Sequence, residues 1–237
     1  MTATKTKKWD SSRILSLISI IGITAFTLYE GFRGGSTLSW IKAVTMAAAI
    51  FGVINCAMSA SGSIWNYFLG VPAVILQGIV ALHDGNYGIG IMEFVYLVPM
   101  QIAGFVIWMR RGAKLSSDTQ EAQVQGRTLS WKARFLVLGG IVLALACLAP
   151  LLKLINANAP WLDAAAVIMQ VVAQVLMTLA YMEQWIIWMV LNLTYIVLWS
   201  VTWYQTSSEN AILMIAMWFF YFILSINGYI VWKRISK

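Results

Sequence analysis

The sequence predicts an all-α integral membrane protein of eight transmembrane helices, arranged as two parallel three-helix bundles joined by a linker helix, with an extra helix in front. Three observations lead there. The 237 residues are 60% hydrophobic and 11% charged, with a mean hydropathy of +0.77, and a water-soluble domain of that composition would expose large apolar patches. Apolar windows of about 20 residues, the length that crosses a hydrocarbon core, occur eight times. Finally, parts of the first half recur in the second.

The windows lie at 14–33, 40–58, 63–82, 88–109, 134–154, 161–181, 184–204 and 210–232. The first follows a basic segment, as a signal peptide would. It is too long for such an apolar region and lacks a small-x-small cleavage site before YEGFRGG, so it is predicted as a helix. The stretch from Arg110 to Arg134 is polar, has no long apolar run and divides the chain near its middle. GFVIWMRR from Gly104 closes the first half as GYIVWKRI from Gly228 closes the second, 124 residues later. IWNYFLG from Ile64 and IIWMVLN from Ile186 extend the match to spans 3 and 7, at a shift of 122 or 123. Four spans separate each repeated helix from its counterpart, so the two triplets share one orientation and span 5 is the linker. The organisation expected is residues 1–37 as N-terminus and extra helix, 38–110 as first bundle, 111–133 as loop, 134–157 as linker helix and 158–237 as second bundle and C-terminus.

Orientation follows from the 16 basic residues, because Lys and Arg collect in cytoplasmic loops. Eight spans put both termini on one side. That side receives Lys5, Lys7, Lys8, Arg13, Arg110, Arg111, Lys114, Arg127, Lys132, Arg134, Lys233, Arg234 and Lys237, leaving only Arg33, Lys42 and Lys153 outside. Both termini are therefore expected in the cytoplasm. The net charge of +7 is then topology, with some attraction for anionic membrane lipid, and no nucleic-acid partner is expected. Cys56 and Cys147 lie within spans and read as packing residues.

Span 7 carries unusual chemistry. On a helical wheel Trp185, Trp188, Asn192, Tyr195, Trp199 and Trp203 fall within roughly 80°. An interfacial belt explains Trp203 near the end, but Asn192 and Tyr195 lie near the bilayer centre, where a polar group needs protein or a cavity. At a shift of 122 the stripe opposes Ser63, Asn66, Gly70, Ala73 and Gln77 of span 3, mostly small residues. Together these faces suggest a slot for a planar ligand. Glu93, Gln101, Gln170, Gln174 and Asn227 are further polar residues within spans. Glu93 is expected nearer the outer surface, and helix-to-helix hydrogen bonding is the ordinary role of the amides.

Glu183, Trp185, Trp188 and Asn192 in EQWIIWMVLN resemble the E-x-W-x-x-W-x-x-x-N pattern of PnuC-type nicotinamide riboside transporters. The resemblance covers nearly the whole chain, and span 1 is an addition to that family's seven-helix, SWEET-like plan. It implies uptake of nicotinamide riboside, a vitamin B3 form and NAD precursor, across the bacterial inner membrane by facilitated diffusion and alternating access. Phosphorylation inside the cell would trap the substrate, and the protein would be a homo-oligomer, with a trimer as one form. The expected substrate-binding set is Trp185, Trp188, Asn192, Tyr195, Trp199, Gln77, Gln101, Asn227, Glu93 and Asn66. A cationic pyridinium over an indole gains about 0.5 to 2 kcal/mol, and the amides suit a carboxamide and ribose hydroxyls.

Other classes fit less well. There is no G-x-x-x-x-G-K-[ST] loop for ATP, and no carboxylate relay crosses the spans. No catalytic residue, metal site or cofactor is expected: His83, the single histidine, belongs to a predicted outer loop, and Lys42 and Lys153 sit near span ends, where they would snorkel. A SWEET-like carrier of a sugar or another vitamin is the alternative that the repeat architecture allows.

Overall fold

The computed structural model describes residues 11–33, 39–118, 120–154 and 160–236. Lys5, Lys7, Lys8, Lys237 and the expected boundaries at 37/38 and 157/158 lie outside them. Among the described residues, eight helices are long and apolar enough to span a bilayer: α1 (Ser11–Phe32), α2 (Trp40–Ala60), α3 (Asn66–His83), α4 (Tyr87–Arg110), α5 (Trp131–Leu151, continuing to Leu154), α6 (Pro160–Thr178), α7 (Gln184–Thr206) and α8 (Glu209–Ile235). No named strand occurs among the described residues. In α4 a π-helical turn, Glu93–Leu97, precedes Pro99, with the Val98 amide reaching back to the Glu93 carbonyl. Pro99 has no amide to give the preceding turn, and the helix widens there.

Two windows overrun their helices by three residues. Span 3 begins at Asn66 rather than 63, and span 6 ends at Thr178 rather than 181, because sharp turns replace helix at both places. The turns are alike. In the first, the Gly62 amide donates to Ser59 O and the Ser63 amide to Met58 O; in the second, the Ala180 amide donates to Met177 O and the Tyr181 amide to Leu176 O. Gly62 (φ +72°) and Ala180 (φ +61°) both take the left-handed conformation that ends a helix. These matched residues are 118 positions apart, so the shift of 122 expected between spans 3 and 7 is incorrect at this point. Apolar windows register helix length but not the turn that starts the helix. The additional residues of the second segment fall largely in α7, with 23 residues against 18 in α3.

The polar loop after α4 does more than connect. Val124 N donates to Gly62 O and Ile64 N to Ala122 O, while Arg127 N donates to Ala180 O and Met182 N to Arg127 O. One strand-like segment thus fastens both turns, with Ala122 and Val124 buried beneath it. Next to it Trp108 and Trp232, fully buried and 5.6 Å apart, cross over. Trp108 Nε1 donates to Met177 O and Trp232 Nε1 to Ser59 O, each 3.0 Å. Ser59 and Met177 are again 118 apart, and the tryptophans 124.

Arg110, Arg111, Lys114, Arg127, Lys132, Arg134, Lys233 and Arg234 belong to this end, called here the basic end. At the opposite end Asp84 accepts from Ser208 Oγ and Asn210 Nδ2, and Thr45 donates to Asn210 Oδ1. Lys42 does not snorkel: its side chain is almost buried and pairs with Glu209 at 2.9 Å. His83 closes α3 rather than occupying a loop, exposed and bonded to Asp84 at 2.8 Å. The additional helix α1 packs on α2 and α8, and α5 packs on α6 with most of its surface exposed.

Candidate functional site

A cavity lies among α2, α3, α4, α6, α7 and α8; α1 and α5 contribute no lining residue. From α2 come Asn55, Cys56 and Ser59; from α3, Val74 and Gln77; from α4, Glu93, Leu97 and Gln101. On the other side stand Gln170 and Gln174 of α6, Trp185, Trp188 and Asn192 of α7, and Trp218, Tyr221 and Ser225 of α8.

Each wall is positioned by packing. Trp185 lies flat on Gly228, where a Cβ would stand 2.6 Å from its ring, and its edge meets Trp232. Tyr67 lies on Gly104 in the same way in the first segment. Asn192 Nδ2 donates to Ser225 Oγ at 2.9 Å, and that hydroxyl donates to Tyr221 O. Gln77 Nε2 donates to Tyr221 OH at 3.1 Å. Gly70, 118 positions before Trp188, leaves the room that Gln101 and Asn55 occupy: a Cβ there would meet Gln101 Oε1 at 2.8 Å.

Polar capacity remains after these contacts. Among the described residues, Asn55 Oδ1, Ser59 Oγ, Glu93 Oε2, Gln101 Oε1, Gln174 Nε2, Trp185 Nε1, Asn192 Oδ1 and Trp218 Nε1 are buried with no hydrogen-bond partner in the protein. All belong to lining residues. A buried polar atom without a partner costs about 1 to 3 kcal/mol, so their convergence marks a place for a polar ligand. No Lys, Arg or His is among the lining residues.

Six of the expected residues meet here: Trp185, Trp188, Asn192, Gln77, Gln101 and Glu93. Four do not. Asn66 turns its amide to Ser63 O, because it starts α3 just after the turn. Asn227 faces α1, donating to Ser12 O and Ser16 Oγ. Trp199 is buried among apolar residues of the core. Tyr195 stacks on Trp218 at 4.2 Å and donates its hydroxyl to Gln170 Oε1. Glu93, expected toward the outer surface, is buried in the cavity wall (2% exposed), at the π turn of α4. Glu183 is outside the cavity; its Oε1 accepts from Leu129 N and from Arg134 Nε and Nη2, tying α7 to the start of α5.

Sequence reasoning missed Asn55, Cys56 and Ser59 on α2, and Trp218, Tyr221 and Ser225 on α8. The signal for α8 was present: Trp218, Tyr221 and Ser225 stand three and four residues apart on one helical face. Nothing in Asn55 or Ser59 alone separates a lining residue from an ordinary helix contact.

A second, wider cavity opens at the end opposite the basic loop, lined in part by Asn86, Tyr87, Asp163 and Gln205. Gln170 lines both cavities and Tyr195 the second, so their hydrogen-bonded pair is the partition between them. Toward the basic end stand Trp185, Trp108, Trp232 and the fastened turns.

A family model described as nicotinamide mononucleotide transporter matches residues 39–234. A Neisseria mucosa protein named nicotinamide riboside transporter PnuC is 31% identical over 97% of this chain and 83% of its own length. Proteins of the same name from Haemophilus influenzae and Escherichia coli are 28% and 26% identical, over 84% and 86% of this chain and 81% and 89% of theirs. A solved structure, described as the crystal structure of the vitamin B3 transporter PnuC, superposes with a TM-score of 0.80 at 28% identity, covering 96% of this chain and 92% of that one.

Proposed function

Since the chain belongs to the nicotinamide mononucleotide transporter family, we propose that it is a multi-pass membrane carrier that takes up nicotinamide riboside by facilitated diffusion. It is a transporter and not an enzyme. The observation that carries the substrate is the convergence of unpaired polar atoms on an aromatic-walled cavity that no Lys, Arg or His lines.

The family description names the mononucleotide and the relatives' names the riboside. The lining favours the riboside. A phosphate in this cavity would lose its water, gain no cationic partner and share the space with the Glu93 carboxyl. For the riboside, the indole of Trp188 offers a π face to the pyridinium, Trp218 being stacked on Tyr195. Asn192 Oδ1 can accept from the carboxamide, and Gln101, Asn55 and Ser59 can take ribose hydroxyls.

Transport follows by alternating access. The two three-helix segments rock about the bound ligand, in a SWEET-like arrangement of parallel bundles with α5 as linker. Opening toward the wider cavity requires parting the Tyr195–Gln170 pair; opening toward the basic end requires unpacking the tryptophan layer. The basic end lies in the cytoplasm with both termini, by the preference of Lys and Arg for that side of the bacterial inner membrane. Intracellular phosphorylation keeps the internal riboside low. The exposed apolar faces of α5 meet lipid or other copies in a homo-oligomer, of which a trimer is one form.

Calorimetric titration of the purified protein with nicotinamide riboside, thiamine and glucose tests the substrate. Saturable binding of the riboside alone is expected. Binding of thiamine or glucose in its place would assign another vitamin or sugar.

A further inference from the structure

We propose that Glu93 makes the cavity selective for a permanently cationic ring, so that the carrier distinguishes the oxidised pyridinium riboside from its reduced, uncharged dihydropyridine form. The inference rests on the riboside reading above and adds to it a charge requirement.

Glu93 is held at the cavity by backbone geometry. It is the first residue of the π turn before Pro99, and the wider turn carries it into the wall shared with Leu97 and Gln101. It is buried, Oε2 has no partner among the described residues, and the neighbouring group is the neutral amide of Gln170. The other ionisable residues of the lining are Cys56 and Tyr221, and neither can supply a positive charge. A carboxylate taken out of water without a counter-charge is among the costliest groups a protein can bury. Here the counter-charge fits as part of the ligand.

A pyridinium is suited to the part because its charge is fixed by the glycosidic bond to nitrogen and cannot be lost by deprotonation. The same environment adds to it: the indole of Trp188, in the cavity wall, can attract a cation through its π face, in a space where charges are weakly screened. Reduction of the ring removes the charge while keeping the carboxamide and ribose. Both recognition elements that read charge then lose their target, and those that read hydrogen bonds do not. A mononucleotide is disfavoured by the same residue, since its phosphate repels the carboxylate.

The test compares the two redox forms of the riboside by titration. The wild-type protein should bind the oxidised form about tenfold or more tightly than the reduced form, the factor that about 1.4 kcal/mol of charge pairing represents. Glu93→Gln keeps size and hydrogen bonding; it should weaken the oxidised form by about tenfold or more and change the reduced form by less than about threefold. Glu93→Asp keeps the charge and should keep the preference. Equal binding of the two forms by the wild type overturns the proposal whether or not any variant folds, as does equal loss of both in a folded Glu93→Gln protein. Binding of neither form would overturn the riboside reading itself.

Discussion

The segments α2–α4 and α6–α8 agree at their base and differ across the cavity. At the base, Gly62 and Ala180 make the same turn, Tyr67 on Gly104 matches Trp185 on Gly228, and Trp108 and Trp232 each bond to the other segment's helix. Across the cavity both segments present polar side chains, Asn55, Gln77, Glu93 and Gln101 from the first and Gln170, Gln174, Asn192 and Ser225 from the second, but the aromatic ones, Trp185, Trp188, Trp218 and Tyr221, all come from the second. A near-symmetric framework therefore holds an asymmetric lining. That arrangement suits a carrier, since aromatic residues on one wall alone let a ligand with one flat ring bind in a single orientation.

The comparison can be broken at the lining first. The mononucleotide should bind roughly 100-fold or more weakly than the riboside in parallel titrations, the consequence of burying an unpaired phosphate at a cost of about 3 kcal/mol or more. Comparable Kd values would show that the lining does not read charge. Trp188→Leu should fold normally and lose about 1 to 3 kcal/mol of riboside binding, by analogy with base–aromatic stacking, roughly 5- to 150-fold. Asn192→Leu should weaken binding by a similar amount, since it removes the bond that the Ser225 hydroxyl accepts and leaves the carboxamide unpaired.

The framework can be broken separately. Gly228→Ala puts a methyl group 2.6 Å from the Trp185 ring, and Gly104→Ala does the same against Tyr67 at 2.5 Å. Each should lower stability by about 1 to 3 kcal/mol, read as a lower melting temperature in detergent. The first should also impair riboside binding, because Trp185 lines the cavity; the second should spare it more. Parallel behaviour of the pair would mean that framework and lining are not separable.

Much of this organisation was legible in the sequence. Eight apolar windows place eight helices to within a few residues, because a helix in lipid must be apolar over its whole length. The Gly104 and Gly228 segments, paired in the sequence by their shared Gly, Trp and Arg positions, each seat an aromatic ring on the glycine. The shift between α3 and α7 was misread because similar-looking tryptophans, Trp65 and Trp188, drew the alignment, whereas the structural match depends on the turn. Gly62 advertises that turn, and Ala180 does not. At the site, the α7 stripe pointed to the cavity, but wheel projection cannot say how deep a residue sits or which neighbour faces it. Trp199 and Asn227 therefore looked equivalent to Trp188 and Asn192 while packing elsewhere.

Two smaller effects sharpen the comparison. Ala180→Gly should raise stability by about 1 kcal/mol and Gly62→Ala should lower it by a similar amount, since a left-handed conformation costs a side-chain-bearing residue about 1 to 2 kcal/mol. Trp203→Leu, at the exposed last turn of α7, should leave riboside binding within about 0.5 kcal/mol of the parent. A loss there equal to that of Trp188→Leu would move the site toward the end of the helix.

The most direct measurement is uptake of labelled nicotinamide riboside into liposomes containing the purified protein, with no ATP, kinase or ion gradient. The account predicts that internal riboside rises to the external concentration and stops there, that unlabelled riboside competes, and that Trp188→Leu slows the process. Uptake no faster than in protein-free liposomes, or accumulation above the external level under an imposed proton or sodium gradient, would contradict it.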